Sequence, residues 1–180
     1  MAYRDLDFQL NDEQKLLRDT VRKFGAEVMR PIGEKLDKLA DPAEVIAPGS
    51  PLWEVIRTYR ELGLHKRVIP KALGGMLEDM DPMSSLLIGE ELGYADAGLA
   101  ISFGAGGMPF AYASFFPHPK LQEMARAYAA DTKGELIGCW AITEPDHGSD
   151  WVMGGENPQT GPSVRGIRKG DEYIISGQKA

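Results

Sequence analysis

The apolar residues Leu17, Val21, Phe24 and Val28 follow one another at spacings of four, three and four, which places them on one face of a helix. Asn11 stands where an N-cap belongs and Gln14 completes a capping box, so the helix starts there and is expected to end near Pro31. From 33 to 50 the periodicity lapses, and Asp41-Pro42 and Pro48-Gly49-Ser50-Pro51 mark a loop. A second helix is predicted from Leu52 to Leu62, with Trp53, Ile56 and Tyr59 sharing a side and Gly63 at C′. The stretch from Val68 to Gly75 reads as an extended piece followed by a glycine turn, because proline disfavours helix before it. Asp81 as cap and Pro82 at the first helical position start a third helix, carried by Leu86, Leu87, Glu90, Glu91, Leu92 and Tyr94 to about Ala95. Residues 97 to 116 are apolar and rich in small side chains, which suits either a closely packed helix or a lining that leaves room for a ligand. A further helix is expected from Pro119 to Ala130.

After Lys133-Gly134 the pattern changes. Leu136 to Ile142 reads as a buried strand and Tyr173-Ile174-Ile175 as another, with glycine, proline and polar residues between them. The fold class is therefore mainly α with an incomplete β region: an α-helical domain over 1–133 and the beginning of a β domain over 134–180. The closing residues Ser176 to Ala180 carry no stop signal, so the parent polypeptide is expected to continue. No internal repeat or low-complexity tract interrupts the chain.

Composition narrows the setting. With 43% hydrophobic and 26% charged residues over 180 positions, the chain can bury a core. A formal net charge of -7 argues against nucleic acid as the main partner. The single cysteine, Cys139, excludes an internal disulfide and fits a reducing compartment, so the cytoplasm is expected. No apolar run suits a membrane span or a signal peptide, and the acidic residues Asp5, Asp7, Asp12 and Glu13 count against a mitochondrial presequence.

The candidate chemistry lies in Ala141-Ile142-Thr143-Glu144-Pro145-Asp146-His147-Gly148-Ser149-Asp150. On its residues alone this is a strand running into a turn with exposed hydroxyls and backbone amides, able to hold an anion or to serve as an ordinary polar loop. Glu144, directly before proline, reads as an anchoring or salt-bridging group rather than a base. His147 reads as a surface hydrogen-bonder, and Cys139 as a small buried apolar side chain. His65 and His118 have no partnering ligand pattern, so no metal site is expected.

The same string resembles the acyl-CoA dehydrogenase signature: a small residue, an aliphatic, Ser or Thr, then Glu-Pro, two variable positions, Gly, Ser or Thr, and Asp. Four further blocks carry the resemblance in order. Phe8 to Gln14 is similar to the family's helix entry, and Glu61-Leu62-Gly63-Leu64 with Ile69-Pro70 and Leu73-Gly74-Gly75 is similar to its second landmark. Glu90 to Tyr94 is similar to the third, and Gly170 to Lys179 to the strand pair after the signature. Asp146-His147 stands where many members have Gly-Ala, Met153 where a small residue is common, and residues 151 to 166 look longer than the usual connection.

The resemblance implies an N-terminal helical domain followed by the first strands of a β-barrel-like middle domain, with FAD as cofactor. It places Trp140, Ile142 and Thr143 along the flavin ring, and Gly148 and Ser149 near its diphosphate. Ser149 also touches the CoA ester, and Gly104, in the stretch to Met108, lines the acyl-chain cavity. The implied reaction removes the proton α to the thioester and passes a hydride from the β carbon to the flavin. No catalytic residue is expected in this chain, because the family's carboxylate base belongs to a C-terminal domain, so the chain is a fragment or one part of a split enzyme. Acyl-CoA is the implied substrate, and an electron-transfer flavoprotein or similar acceptor the implied partner. A homo-oligomer, dimer or homotetramer, or a multi-chain complex is implied as the assembly. An acyl-CoA oxidase, a flavin monooxygenase of the same architecture and a non-catalytic partner subunit are the rival readings.

Overall fold

A computed structural model describes residues 9–149 and 161–180. The chain divides into two compact units, Met1–Cys139 and Trp140–Ala180.

The first unit is helical. Helix α1 (Asp12–Phe24) begins with the expected capping box: Asn11 accepts from the Gln14 backbone N–H, and the Gln14 side chain accepts from the Asn11 N–H. The helical path does not stop at Pro31. It widens into a π turn, Gly25–Met29, and continues as α2 (Arg30–Leu36), a correction to the expected end. Pro31 falls within this continuous path, and the wide turn before it relieves the clash a proline ring makes in a regular helix. The loop expected from 33 to 50 is likewise shortened, by the end of α2 and by the short helix α3 (Pro42–Val45), which Asp41 caps.

Helix α4 (Leu52–Glu61) ends as predicted, with Gly63 in the left-handed conformation at φ 71°. Three short 3-10 turns, Leu64–Val68, Lys71–Leu73 and Leu77–Asp79, lead to α5 (Pro82–Ala95), whose cap Asp81 accepts from the Ser84 N–H. Asp96 caps α6 (Ala97–Ser114), which is apolar on nearly all sides and contains Pro109. Helix α7 (Pro119–Ala130) matches its predicted span.

The core gathers where the apolar stripe of α1 meets α5 and α6. Val21 is fully buried, Phe24, Ile88, Leu92 and Phe103 nearly so, and Leu17 and Val28 pack against them. Tyr59 of α4 stacks on Phe103 with ring centres 4.1 Å apart. A second cluster sets Ile69 and Leu73 against Phe110, Ala125 and Tyr128. The α1–α5 joint includes one buried carboxylate, Glu91, which accepts from Arg22 Nη2 at 2.7 Å and Nε at 3.0 Å. This two-point hydrogen bond is worth about 1.5–3 kcal/mol, toward the lower end because the arginine is half-exposed.

The buried strand expected from Leu136 to Ile142 does not form. Three of its backbone groups bond elsewhere: Leu136 N–H to Asp131 at 2.9 Å, Leu136 C=O to Arg60 at 2.7 Å, and Gly138 N–H to the Gly106 carbonyl at 2.9 Å. A Cβ on Gly138 would meet Pro109 at 2.8 Å, so glycine lets this segment lie against α6. Ile137 and Trp140 are about half exposed, and Cys139 is exposed rather than buried.

In the second unit, β1 (Arg165–Lys169) and β2 (Glu172–Ser176) form an antiparallel hairpin with Lys169 opposite Glu172 and Ile167 opposite Ile174. Gly170, at φ 66°, makes the two-residue turn. Both faces of the hairpin are exposed, including Ile167, Tyr173 and Ile175. Most of the long connection expected over 151 to 166, with Met153, lies outside the described residues, as does the Phe8 end of the opening block.

Candidate functional site

The segment from Trp140 to Ser149 takes its shape from one carboxylate. Glu144 is 3% exposed. Its Oε2 accepts from the Ser163 N–H at 2.6 Å, and its Oε1 from the Val164 N–H at 3.1 Å and from Lys179 Nζ at 2.9 Å. Lys179 also donates to the Ile142 carbonyl at 3.1 Å, and the Ala180 N–H to the Thr143 carbonyl at 2.9 Å. The hydrogen bond from Lys179, with those from the two backbone amides, pulls the Glu144 carboxyl down to about 2 against the opposing effect of burial. Glu144 is thus an ionised anchor and a poor proton acceptor at neutral pH, as expected for a glutamate set before proline.

The turn itself closes through Glu144 and His147, whose backbones exchange hydrogen bonds of 2.9 and 3.3 Å. Trp140, Thr143 and Ser149 are exposed, while Ile142, His147 and Gly148 are intermediate. Among the described residues, nothing lies within 4 Å of where a Cβ on Gly148 would be. Among the described residues, none bonds the Thr143 hydroxyl or the N–H groups of Ile142 and Thr143. The five residues expected along the flavin therefore share one short, anchored segment. Lys179, which ties that segment to the C-terminal end of the unit, was not singled out from sequence; the signal available was its place in the block that resembles the family's strand pair.

Gly104 belongs to the helical unit. It lies on the exposed face of α6, with open space where a Cβ would be. A different face of α6, with Gly98, Ser102 and Gly106, lines a cavity of about 430 Å³. Arg60 also lines that cavity, and sequence reasoning passed over it: an arginine one turn after Ile56 on the apolar side of α4 was the available sign. His65 is buried against Tyr128, with Nε2 3.2 Å from the Ala129 carbonyl. Burial, then the charge of Arg60, lowers its pKa to about 4. Among the described residues, no three His, Cys, Asp or Glu side chains are grouped to hold a metal ion, and no helix is long and apolar enough to cross a membrane.

Residues 11–115 match the family model described as acyl-CoA dehydrogenase, N-terminal domain. A Caenorhabditis briggsae protein described as "Probable medium-chain specific acyl-CoA dehydrogenase 2, mitochondrial" is 32% identical over 177 residues, covering 98% of this chain and 38% of its own length. A nitroalkane oxidase crystallized with 1-nitrooctane superposes with a TM-score of 0.74 at 23% identity, over 97% of this chain and 39% of that one. An acyl-CoA dehydrogenase complexed with FAD from Bacillus anthracis gives a TM-score of 0.67 at 24% identity, over 94% and 26%. At these identities the two structures speak for the fold. The chain spans less than half the length of each of these proteins.

Proposed function

This chain belongs to the acyl-CoA dehydrogenase family, whose N-terminal domain it carries, and we propose that it supplies the helical wall and the flavin-side turn of an FAD-dependent acyl-CoA dehydrogenase. In this reading 1–133 is the helical domain and 134–180 the start of the β domain. The observation that carries the proposal is the anchoring of Glu144, which fixes the signature turn by its acidic side chain and leaves Trp140, Thr143 and Ser149 outward.

The residues present fit the cofactor. The Thr143 hydroxyl and the N–H groups of Ile142 and Thr143 have no bond among the described residues, so they suit the polar edge of a flavin ring, and the exposed Trp140 suits its flat face. Gly148 admits close approach of a diphosphate and Ser149 adds a donor, which also serves the thioester of acyl-CoA. FAD bound at this turn supplies the acceptor for a hydride from the acyl β carbon. The open space at Gly104 suits an acyl chain. By the family resemblance, the base that takes the α proton is a carboxylate of a C-terminal domain.

An electron-transfer flavoprotein or similar acceptor, a homo-oligomer and a cytoplasmic setting belong to the same proposal. The exposed apolar side chains Ile101, Tyr112, Phe115 and Phe116 favour a covered surface in the assembled enzyme. One rival within the fold is an acyl-CoA oxidase. Rapid reoxidation of the reduced protein by oxygen would assign that rival, and slow reoxidation the dehydrogenase.

Thr143→Ala and Ser149→Ala, made in the natural full-length polypeptide, are each expected to weaken flavin retention by about 1–3 kcal/mol, one buried or charge-assisted hydrogen bond apiece. Equilibrium flavin binding checks this, and unchanged affinity in both variants removes the assignment.

A further inference from the structure

The backbone carbonyls of Ile142, Thr143 and Glu144 are all taken: by Lys179 Nζ at 3.1 Å, by the Ala180 N–H at 2.9 Å and by the His147 N–H at 3.3 Å. The Glu144 N–H is taken as well, by the His147 carbonyl at 2.9 Å. Among the described residues, the N–H groups of Ile142 and Thr143 are left without a bond.

The Ile142 carbonyl and the Thr143 N–H belong to one planar trans peptide, so they point in opposite directions. Whatever holds the carbonyl therefore aims the amide. Lys179 holds it, and the Thr143 N–H faces away from the lysine. A cation on the carbonyl oxygen also polarises the peptide and makes its N–H a stronger donor. The Lys179 side chain is 26% exposed and that of its partner Glu144 1%, so water screens neither charge fully.

We propose that Lys179 is a positioning residue for the flavin: through the Ile142 carbonyl it aims the Thr143 N–H at the polar edge of the ring and strengthens that hydrogen bond as the ring gains electrons. The inference rests on the flavin site proposed above and adds to it a residue that biases the cofactor between its two redox states. Reduction adds negative charge at the polar edge, so a donor backed by a cation favours reduced over oxidised FAD. Glu144 opposes this bias, because its carboxylate stands beside the same ammonium group. The two members of the ion pair thus act on the flavin with opposite signs, although both hold the turn. A merely structural tie would weaken the two flavin states alike in either variant.

The test uses the natural full-length polypeptide and FAD. The midpoint potential of bound against free FAD gives the ratio of affinities for the reduced and oxidised forms. Lys179→Met should lower that ratio about fivefold or more, equal to about 20 mV for a two-electron couple. Glu144→Gln should raise the ratio while weakening both forms, and Lys179→Arg, which keeps charge and donor, should stay with the parent. Hydrogen exchange at the Thr143 amide reads the aim directly: added FAD should slow it in the parent and in Lys179→Arg, and several-fold less in Lys179→Met. A ratio unchanged in Lys179→Met, or one that fails to rise in Glu144→Gln, overturns the proposal. If FAD slows Thr143 exchange in the parent when this happens, the flavin site stands and only the role of Lys179 is removed. If FAD leaves Thr143 exchange unchanged in the parent, the flavin site itself is wrong and the proposal falls with it. Should Lys179→Met fail to fold by circular dichroism, the sign of the change in Glu144→Gln decides.

Discussion

Gly75→Ala is expected to destabilise the helical unit by about 3 kcal/mol or more, the upper end of what one added methyl group does. A Cβ at this position would run into the carbonyl of Ile69, which is backbone and cannot swing aside. That carbonyl accepts from the Leu77 N–H at 3.0 Å, and Gly75 itself donates to Pro70 at 3.0 Å, so moving either strand of the loop breaks a hydrogen bond. Ile69 is fully buried beside Leu73 and Tyr128, and the displacement reaches that cluster as well.

Two neighbouring substitutions calibrate the effect. Gly74 has φ 84°, so alanine there carries only the left-handed backbone penalty of about 1–2 kcal/mol. Gly104 has open space around its missing Cβ inside a helix, so alanine there is expected to stabilise by about 0.5–1 kcal/mol. Thermal unfolding of the three variants should rank Gly104→Ala above the parent and Gly75→Ala below Gly74→Ala. A Gly75→Ala protein that melts with or above Gly74→Ala would show that the loop is not closed in this way.

Local chemistry made much of the fold readable. The boundaries set by Asn11 with Gln14, by Asp81 with Pro82 and by Gly63 needed only neighbouring residues, and they stand where the pattern put them. The errors arose where a distant segment decides. Whether Pro31 ends a helix depends on the π turn before it, and that turn begins at Gly25, whose added Cβ would lie 2.8 Å from Ala95 on α5. The apolar run from Leu136 to Ile142 looks like a strand, but its hydrogen bonds go to Asp131, Arg60 and Gly106, none of which its own composition reveals. β1 escaped notice because Arg-Gly-Ile-Arg-Lys offers one large apolar residue and no alternation to speak of.

The candidate site was readable to the same depth. Thr143 to Ser149 stood out as a contiguous string, and the anchoring role of Glu144 followed from its place before proline. Lys179, 35 residues away, was not visible as its partner, because ion pairs across such a separation leave no spacing signal. Arg60 was hidden for a different reason: one arginine on a partly apolar helix face normally reaches solvent with its charged end, and only the packing of Tyr128 and Leu136 around it shows that this one does not.

Glu144→Gln is expected to loosen the signature turn and to cost more flavin retention than loss of either hydroxyl, because it takes the negative charge from three hydrogen bonds and the acceptor from at least one of them. Glutamine keeps the shape of the side chain, yet its amide nitrogen turns a donor toward Lys179 or toward one of the amides of Ser163 and Val164, where only an acceptor fits. The same anchor sets an acid dependence with a definite sign. The ordinary carboxyl value of 4.5 falls to about 2 in the folded unit, chiefly through the hydrogen bond from Lys179. The anchor therefore stabilises fully above about pH 4.5 and loses its contribution as the pH falls toward about 2. Hydrogen-exchange protection factors at the Ser163 and Val164 amides should decline through that window in the parent protein, and should be low and nearly independent of pH in Glu144→Gln. Flavin binding measured on the same samples at neutral pH should fall in the variant. If the glutamine protein keeps both its amide protection and its flavin, the turn is held by something other than the Glu144–Lys179 pair, and the observation on which the proposed flavin site rests is lost.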